Sequence, residues 1–211
     1  MSERWLWTQK EDIGPSPRYG HAMAYEPARQ RVVLFGGSSG GTLEQLNDTW
    51  GWDGVAWTQL ADMGPPARRY HAMAYDESRQ RLVLFGGFTL SYVGDTWEWD
   101  GTEWTQVADI GPAARTDCAL AYDTLRQRVV LFGGNNPAIS LSTHVFSDTW
   151  AWDGTEWTQI ADTGPPPRAG HAMVFDSSRE CLVLFGGAWF QAGAQKWEWL
   201  SDTWEWDEDA G

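Results

Sequence analysis

Cysteine is scarce: the 211 residues hold only Cys118 and Cys181. The two fall at unlike places in the chain and form neither a disulfide framework nor a CxxC metal pair. Cations are scarce too. Fifteen Lys and Arg stand against 29 Asp and Glu, giving a net charge of −14. Such a field repels phosphate backbones and anionic membrane surfaces, which argues against nucleic acid and membrane as partners. A basic protein or peptide, or a neutral ligand, suits it better. No apolar run approaches the ~20 residues of a membrane span. The segment from Met1 to Trp5 shows no basic region followed by an apolar stretch, so no signal peptide is read and a cytoplasmic location is expected. There is no Gly-x-Ser-x-Gly, HExxH, P-loop or paired-carboxylate motif. The expectation is a protein that is not an enzyme and carries no cofactor.

Aromatics and repetition are abundant. Sixteen Trp, eight Phe and six Tyr can furnish a large core. The run Val32-Val33-Leu34-Phe35-Gly36-Gly37 returns at 82–87, 129–134 and 182–187, at spacings of 50, 47 and 53 residues. An apolar run stopped by two glycines reads as a core strand ending at a sharp turn. Four copies make an internal repeat, and the repeat sets the architecture. Each unit offers four strand-like segments. The first opens at Arg18, Arg68, Arg115 or Arg168 and alternates large with small residues, as in His21-Ala22-Met23-Ala24-Tyr25. The second is the diglycine run. The third is Asp-Thr-Trp-x-Trp-Asp at 48–53, 95–100, 148–153 and 202–207; the fourth is Trp-Thr-Gln at 57–59, 104–106 and 157–159. Asp-Gly turns join the third to the fourth. A further Trp-Thr-Gln stands at 7–9, a fourth strand without its third, while 202–207 is a third strand without its fourth. The two would complete one sheet.

Arg-x-x-His-Ala-Met, the diglycine after Val-Leu-Phe, and the paired tryptophans after Asp-Thr resemble the Kelch repeat over nearly the whole chain. The resemblance implies an all-β fold: a β-propeller of four-stranded antiparallel blades, the first strand lining the channel and the fourth on the rim. The expected organisation is one domain over 1–211. Its blades lie near 18–60, 68–107, 115–160 and 168–207, the last completed by residues 4–9, so that the N-terminal strand closes the ring. Kelch propellers mostly have five to seven blades. Four leaves three arrangements: a compact monomeric ring, a head-to-tail homodimer with eight blades, and part of a longer propeller. Length favours the compact ring.

Variable loops on a repeated scaffold are where specificity is expected. The segments joining second to third strands, 38–47, 88–94, 135–147 and 188–201, differ in length and composition. The expected function is therefore a non-catalytic binding or scaffold module that engages a protein or peptide there. In the last segment Trp189, Phe190, Trp197 and Trp199 are candidate anchors, or stacking platforms for a carbohydrate or small ligand; the competing reading is that they fold back over the outer blade surface or that Trp197-Glu198-Trp199 extends the sheet. Tyr92 and His144, with Leu90 and Phe146, are lesser candidates. Arg18, Arg68, Arg115 and Arg168 could present a ring of cations to an anion, but their recurrence beside a recurring aspartate also suits a structural ion pair. His21, His71, Cys118 and His171 occupy equivalent positions. In a closed four-bladed ring they would share one height near the axis, a donor set for zinc or copper, though without any short chelating motif.

Overall fold

The computed structural model describes residues 7–10, 13–41, 44–139, 145–191 and 196–207. Four antiparallel sheets form the blades of a β-propeller, and the one helical element among the described residues is a 3-10 turn at Pro27–Arg29. Blade one comprises Ala22–Glu26, Arg31–Ser39, Gln45–Trp52 and Trp57–Ala61. Blade two comprises Ala72–Asp76, Arg81–Phe88, Tyr92–Trp99 and Trp104–Ala108; blade three comprises Ala119–Asp123, Arg128–Phe132, Thr149–Trp152 and Trp157–Ala161. Blade four pairs Ala172–Asp176 with Cys181–Phe185 and Thr203–Trp206, three strands among the described residues. Residues 4–6, expected to supply its fourth strand, lie outside the described residues, and 7–10 carry no strand pairing.

Period-two alternation gives each blade two different faces. On blade two, Ala72, Ala74, Val83 and Phe85 form one; Met73, Tyr75, Leu82 and Leu84 form the other. The small-residue face of each blade packs against the large-residue face of the next. Val33 and Phe35 thus join Met73, Tyr75, Leu82, Leu84, Trp99 and Trp104 in one cluster. Val83 and Phe85 join Leu120, Val129, Leu131, Trp152 and Trp157 in a second, and Ala121 and Val130 join Leu182 in a third. Each fully buried apolar side chain contributes about 1.5–3 kcal/mol, so these three interfaces dominate cohesion.

The diglycine is what lets blades approach. At Gly36 and Gly37 the backbone has φ 63° and 98°. A Cβ at Gly36 would stand 2.9 Å from the Arg68 carbonyl oxygen of the next blade, and the Gly37 N–H donates to that same oxygen at 2.8 Å. The pattern recurs from Gly87 to Arg115 and from Gly134 to Arg168. At the other end of the blades, arginines of the first turn cross the interface. Arg29 and Arg31 of blade one donate to the Asp100 and Gly101 carbonyls of blade two at 2.8 and 2.9 Å. Glu98 of blade two receives both Arg79 and the Trp152 indole of blade three.

The second and third strands run further than the alternation suggests. They continue past the diglycine to Ser39 and Phe88, with a register shift at each bulge, so much of 38–47 and 88–94 is paired strand. The first strand, by contrast, breaks. Arg18–Tyr19 pairs with Ser38–Ser39, then Gly20 turns at φ 64° and the strand resumes at Ala22. Arg69, Thr116 and Ala169 make the corresponding single bridges to Phe88, Asn135 and Ala188.

Candidate functional site

The break in the first strand builds the loop face at the channel mouth. Residues Gly20, Tyr70, Asp117 and Gly170 occupy the same repeat position with φ between 55° and 66°. They link blade to blade by backbone bonds: Tyr70 N–H to Gly20 O, Asp117 N–H to Tyr70 O, Gly170 N–H to Asp117 O, at 2.7, 3.0 and 2.8 Å. Between blades two and three this rim opens into a cleft lined by Arg69, Tyr70, Phe88, Tyr92, Asp117 and Asn135. Arg69 is held by aromatics. Its guanidinium lies 5.4 Å from the ring centres of Tyr70 and Phe88 and 5.8 Å from that of Tyr19, whose hydroxyl accepts its Nη1–H at 2.8 Å. Its Nε is buried without a hydrogen-bond partner among the described residues. Across the cleft, Asn135 donates to the Asp117 carboxylate at 3.2 Å. Burial raises the Asp117 pKa despite that bond, and burial with the Asp117 charge raises that of Tyr92.

Tyr92 was legible as a candidate; Arg69, Tyr70, Asp117 and Asn135 were not singled out. The signal was present nonetheless. Where two copies of the repeat read Tyr19-Gly20 and Ala169-Gly170, the middle two read Arg69-Tyr70 and Thr116-Asp117. Non-glycine residues held at positive φ mark a departure from the repeat.

The segment after Gly187 forms its own hairpin, Ala188–Gln191 paired with Lys196–Trp199. It is a two-stranded sheet separate from the sheet of blade four, and it leaves aromatics open. Phe190 pairs with Trp197 and Ala188 with Trp199, which places Phe190, Trp197 and Trp199 on one side. Phe190 and Trp197 meet edge to face at 5.6 Å. Trp199 is 82% exposed and Trp197 45%. Trp189 belongs to the opposite side, where its indole donates to Glu198 at 3.2 Å. Leu90 is fully exposed at a loop tip, whereas Phe146 packs under the Arg115 guanidinium at 3.8 Å. His144 lies outside the described residues.

The arginine ring is engaged within the blades. Arg68 donates to both oxygens of Asp95 at 2.7 and 2.8 Å, to Gly86 O at 2.9 Å and to Pro66 O at 3.1 Å. Arg18–Asp48, Arg115–Asp148 and Arg168–Asp202 repeat the clamp. The following tryptophan, Trp97 in blade two, donates to the same carboxylate. Burial opposes charge on Asp95, yet the Arg68 hydrogen bonds and charge outweigh it and hold the carboxyl below its ordinary range. These arginines tie the first strand to the third and keep few donors for a ligand.

The His/Cys set does not converge. His71, Cys118 and His171 turn toward the preceding blade, while His21 lies on the face of blade one that no other blade covers among the described residues. His71 packs edge-on against Phe35 and His171 against Phe132, both at 5.4 Å. Burial, with the neighbouring Arg68 charge, pushes the His71 pKa down to about 3; burial and Arg168 push that of His171 to about 4. Burial pushes the Cys118 thiol up to about 12. Among the described residues no group of three or more His, Cys, Asp or Glu side chains is placed to hold a metal ion. The alternative of a shared donor set depended on these side chains meeting at one height, and His71 and His171 instead pack against the phenylalanine of the preceding blade.

A family model described as the KLHDC2/KLHL20/DRC7 Kelch-repeats domain matches residues 1–187. A search of the curated proteins found no match. The motif, the blade topology and a match over most of the sequence agree: the chain belongs to the Kelch-repeat family.

Proposed function

We propose that this chain is a non-catalytic module that binds a peptide or protein segment on its loop face. A Kelch propeller serves in general as a protein-interaction scaffold, and the reading adds a place and a chemistry. The observation that carries it is the hairpin: Phe190, Trp197 and Trp199 form an aromatic side outside every blade interface, with Trp199 82% exposed. Exposed tryptophans flanked by polar residues are the residue type that anchors partners. The cleft around Arg69 and Asp117 lies on the same face and offers a second, polar contact. The net charge of −14 favours basic segments.

Selection of a random peptide library on the immobilised protein tests this. Enriched peptides should carry net positive charge. Their affinity should fall on the order of 10–100-fold in a Trp197→Ser/Trp199→Ser double variant. The thermal midpoint should stay unchanged, because both side chains stand clear of the blades. Peptides that bind the double variant as well as the parent would remove the hairpin from the site. Binding on a glycan array without peptide enrichment would favour the carbohydrate reading, with the same tryptophans as stacking platforms.

A further inference from the structure

The cleft between blades two and three holds two opposite charges that the fold keeps apart. Its walls include Arg69, Tyr70, Phe88, Tyr92, Asp117 and Asn135, and it offers about 190 Å³. That is below the ~300–1,000 Å³ of pockets for drug-sized ligands and suits a smaller molecule. Blades two and three each pack against a neighbour on both sides, so the opening does not arise from the bare flanks of blades one and four.

Neither charge is neutralised by the described residues. The Arg69 guanidinium is in no salt bridge among them; it donates to the Tyr19 hydroxyl at 2.8 Å, and its Nε is buried without a partner. The Asp117 carboxylate is likewise in no salt bridge among them and accepts from the Asn135 amide at 3.2 Å. Each group is pinned where it stands. The rings of Tyr19, Tyr70 and Phe88 hold the guanidinium at 5.8, 5.4 and 5.4 Å from their centres. Asp117 is fixed in the rim at φ 55°, its N–H bonded to Tyr70 O. Burial raises the Asp117 pKa, as expected of a carboxylate with no cation beside it. Burial also raises the Tyr92 pKa; the Asp117 charge adds to that rise and the Arg69 charge opposes it, so Tyr92 stands in the field of both.

The repeat does not demand this pair. Arg69 aligns with Tyr19, Thr116 and Ala169, and Asp117 aligns with Gly20, Tyr70 and Gly170. Each charge occurs once in four copies, and the rim backbone bonds form at Gly20 and Gly170 without it. A half-buried charge left unpaired is costly, and a ligand that carries the opposite charge relieves the cost.

We infer that the cleft binds a small zwitterion of the amino acid type, its ammonium group toward Asp117 and its carboxylate toward Arg69. A ligand of one sign would satisfy one wall and be repelled by the other; a zwitterion satisfies both. The two receptor charges are already in place, so little ordering remains to be done on binding. Tyr70, Phe88 and Tyr92 border the same space and fit an apolar side chain between the charges. The inference shares the loop face with the peptide reading and rests on no residue of the hairpin.

Calorimetric titration of the intact chain with free leucine and phenylalanine is the test, beside two halves of leucine: isoamylamine, which lacks the carboxylate, and isocaproate, which lacks the ammonium group. At least one of the amino acids should bind with a Kd below about 1 mM. Each half should bind at least about 10-fold more weakly than leucine. Asp117→Asn keeps the side-chain shape and tolerates positive φ. It should weaken amino acid binding on the order of 10–100-fold while isocaproate holds or improves. Arg69→Gln should do the converse, weakening the amino acid and sparing isoamylamine. Should that variant fail to fold, Asp117→Asn and the two halves decide alone. No binding of either amino acid up to about 10 mM would overturn the inference. So would a half that binds as tightly as leucine, or undiminished affinity in Asp117→Asn. The Trp197→Ser/Trp199→Ser variant should bind the amino acids as the parent does, so the hairpin reading and this one fail separately.

Discussion

Blades two and four carry the same hexapeptide, Leu-Val-Leu-Phe-Gly-Gly, at 82–87 and 182–187. In blade two Phe85 is 0% exposed; in blade four Phe185 is 55% exposed. Local sequence and pairing register are alike, so the difference comes from what stands opposite. Leu120, Leu131 and Trp157 of blade three cover Phe85, and among the described residues no blade covers Phe185. Burial in a propeller is therefore a property of the neighbour as much as of the strand. The sharpest way to break the comparison is to truncate both. Phe85→Ala should cost about 3–5 kcal/mol in urea unfolding, the usual range for an aromatic removed from a packed core. Phe185→Ala should cost under about 1 kcal/mol, because more than half of its side chain already faces solvent. Equal losses at high dilution would mean that Phe185 is covered within one chain.

The repeat made the blades legible from sequence because its cause is local. Alternation, diglycines and Asp-Gly turns each act within about ten residues, and they placed the strands. The site was less legible because its causes are not local. Arg18, Arg68, Arg115 and Arg168 looked equally suited to an anion or to aspartate; only the clamp to Asp48, Asp95, Asp148 and Asp202 shows where their donors go. His21, His71, Cys118 and His171 share one repeat position, but sharing a position in neighbouring blades does not bring side chains together when His71, Cys118 and His171 each face the preceding blade. The aromatic hairpin was visible as composition at 188–201, while its two sides depend on the pairing of Phe190 with Trp197. Arg69 and Asp117 were not read as candidates from sequence, where they differ from the repeat only as single substitutions, and it took the positive φ of Tyr70 and Asp117 to show that these departures form one rim.

A smaller contrast separates the histidines. His71 lies inside a filled interface, and its pKa is pushed down to about 3, chiefly by burial. His21 lies on the bare face of blade one, and burial with the Arg18 charge lowers its pKa less drastically. Above pH 6.5 imidazole is neutral in folded and unfolded chains alike. As pH falls from 6.5 toward 3, the unfolded chain binds a proton at His71 that the folded chain refuses, so stability declines through that window by up to about 1.4 kcal/mol per pH unit. His71→Cys, which installs the residue found at the same position in blade three, should flatten part of that decline. His21→Cys should flatten less of it in the isolated chain. Urea midpoints collected across the window check both, and a larger effect at His21 would show that its face is covered.

The finest contrast lies at the rim, where Gly20 and Gly170 flank Tyr70 and Asp117 at nearly the same φ. An L-residue in the left-handed region costs about 1–2 kcal/mol that glycine escapes. Tyr70 recovers part of this through its contact with Arg69 at 5.4 Å. Tyr70→Gly should consequently leave stability within about 1 kcal/mol of the parent, because relief of strain offsets the lost contact and the greater freedom of the unfolded chain. Tyr70→Ala keeps the strain and loses the ring, and should be the less stable of the two by about 1 kcal/mol. If Tyr70→Gly folds as well as the parent while library-selected peptides lose affinity for it, the tyrosine stands at that strained position for what it binds and not for the blade it belongs to. If binding is untouched, the cleft beside Arg69 drops out of the loop-face site and the hairpin stands alone.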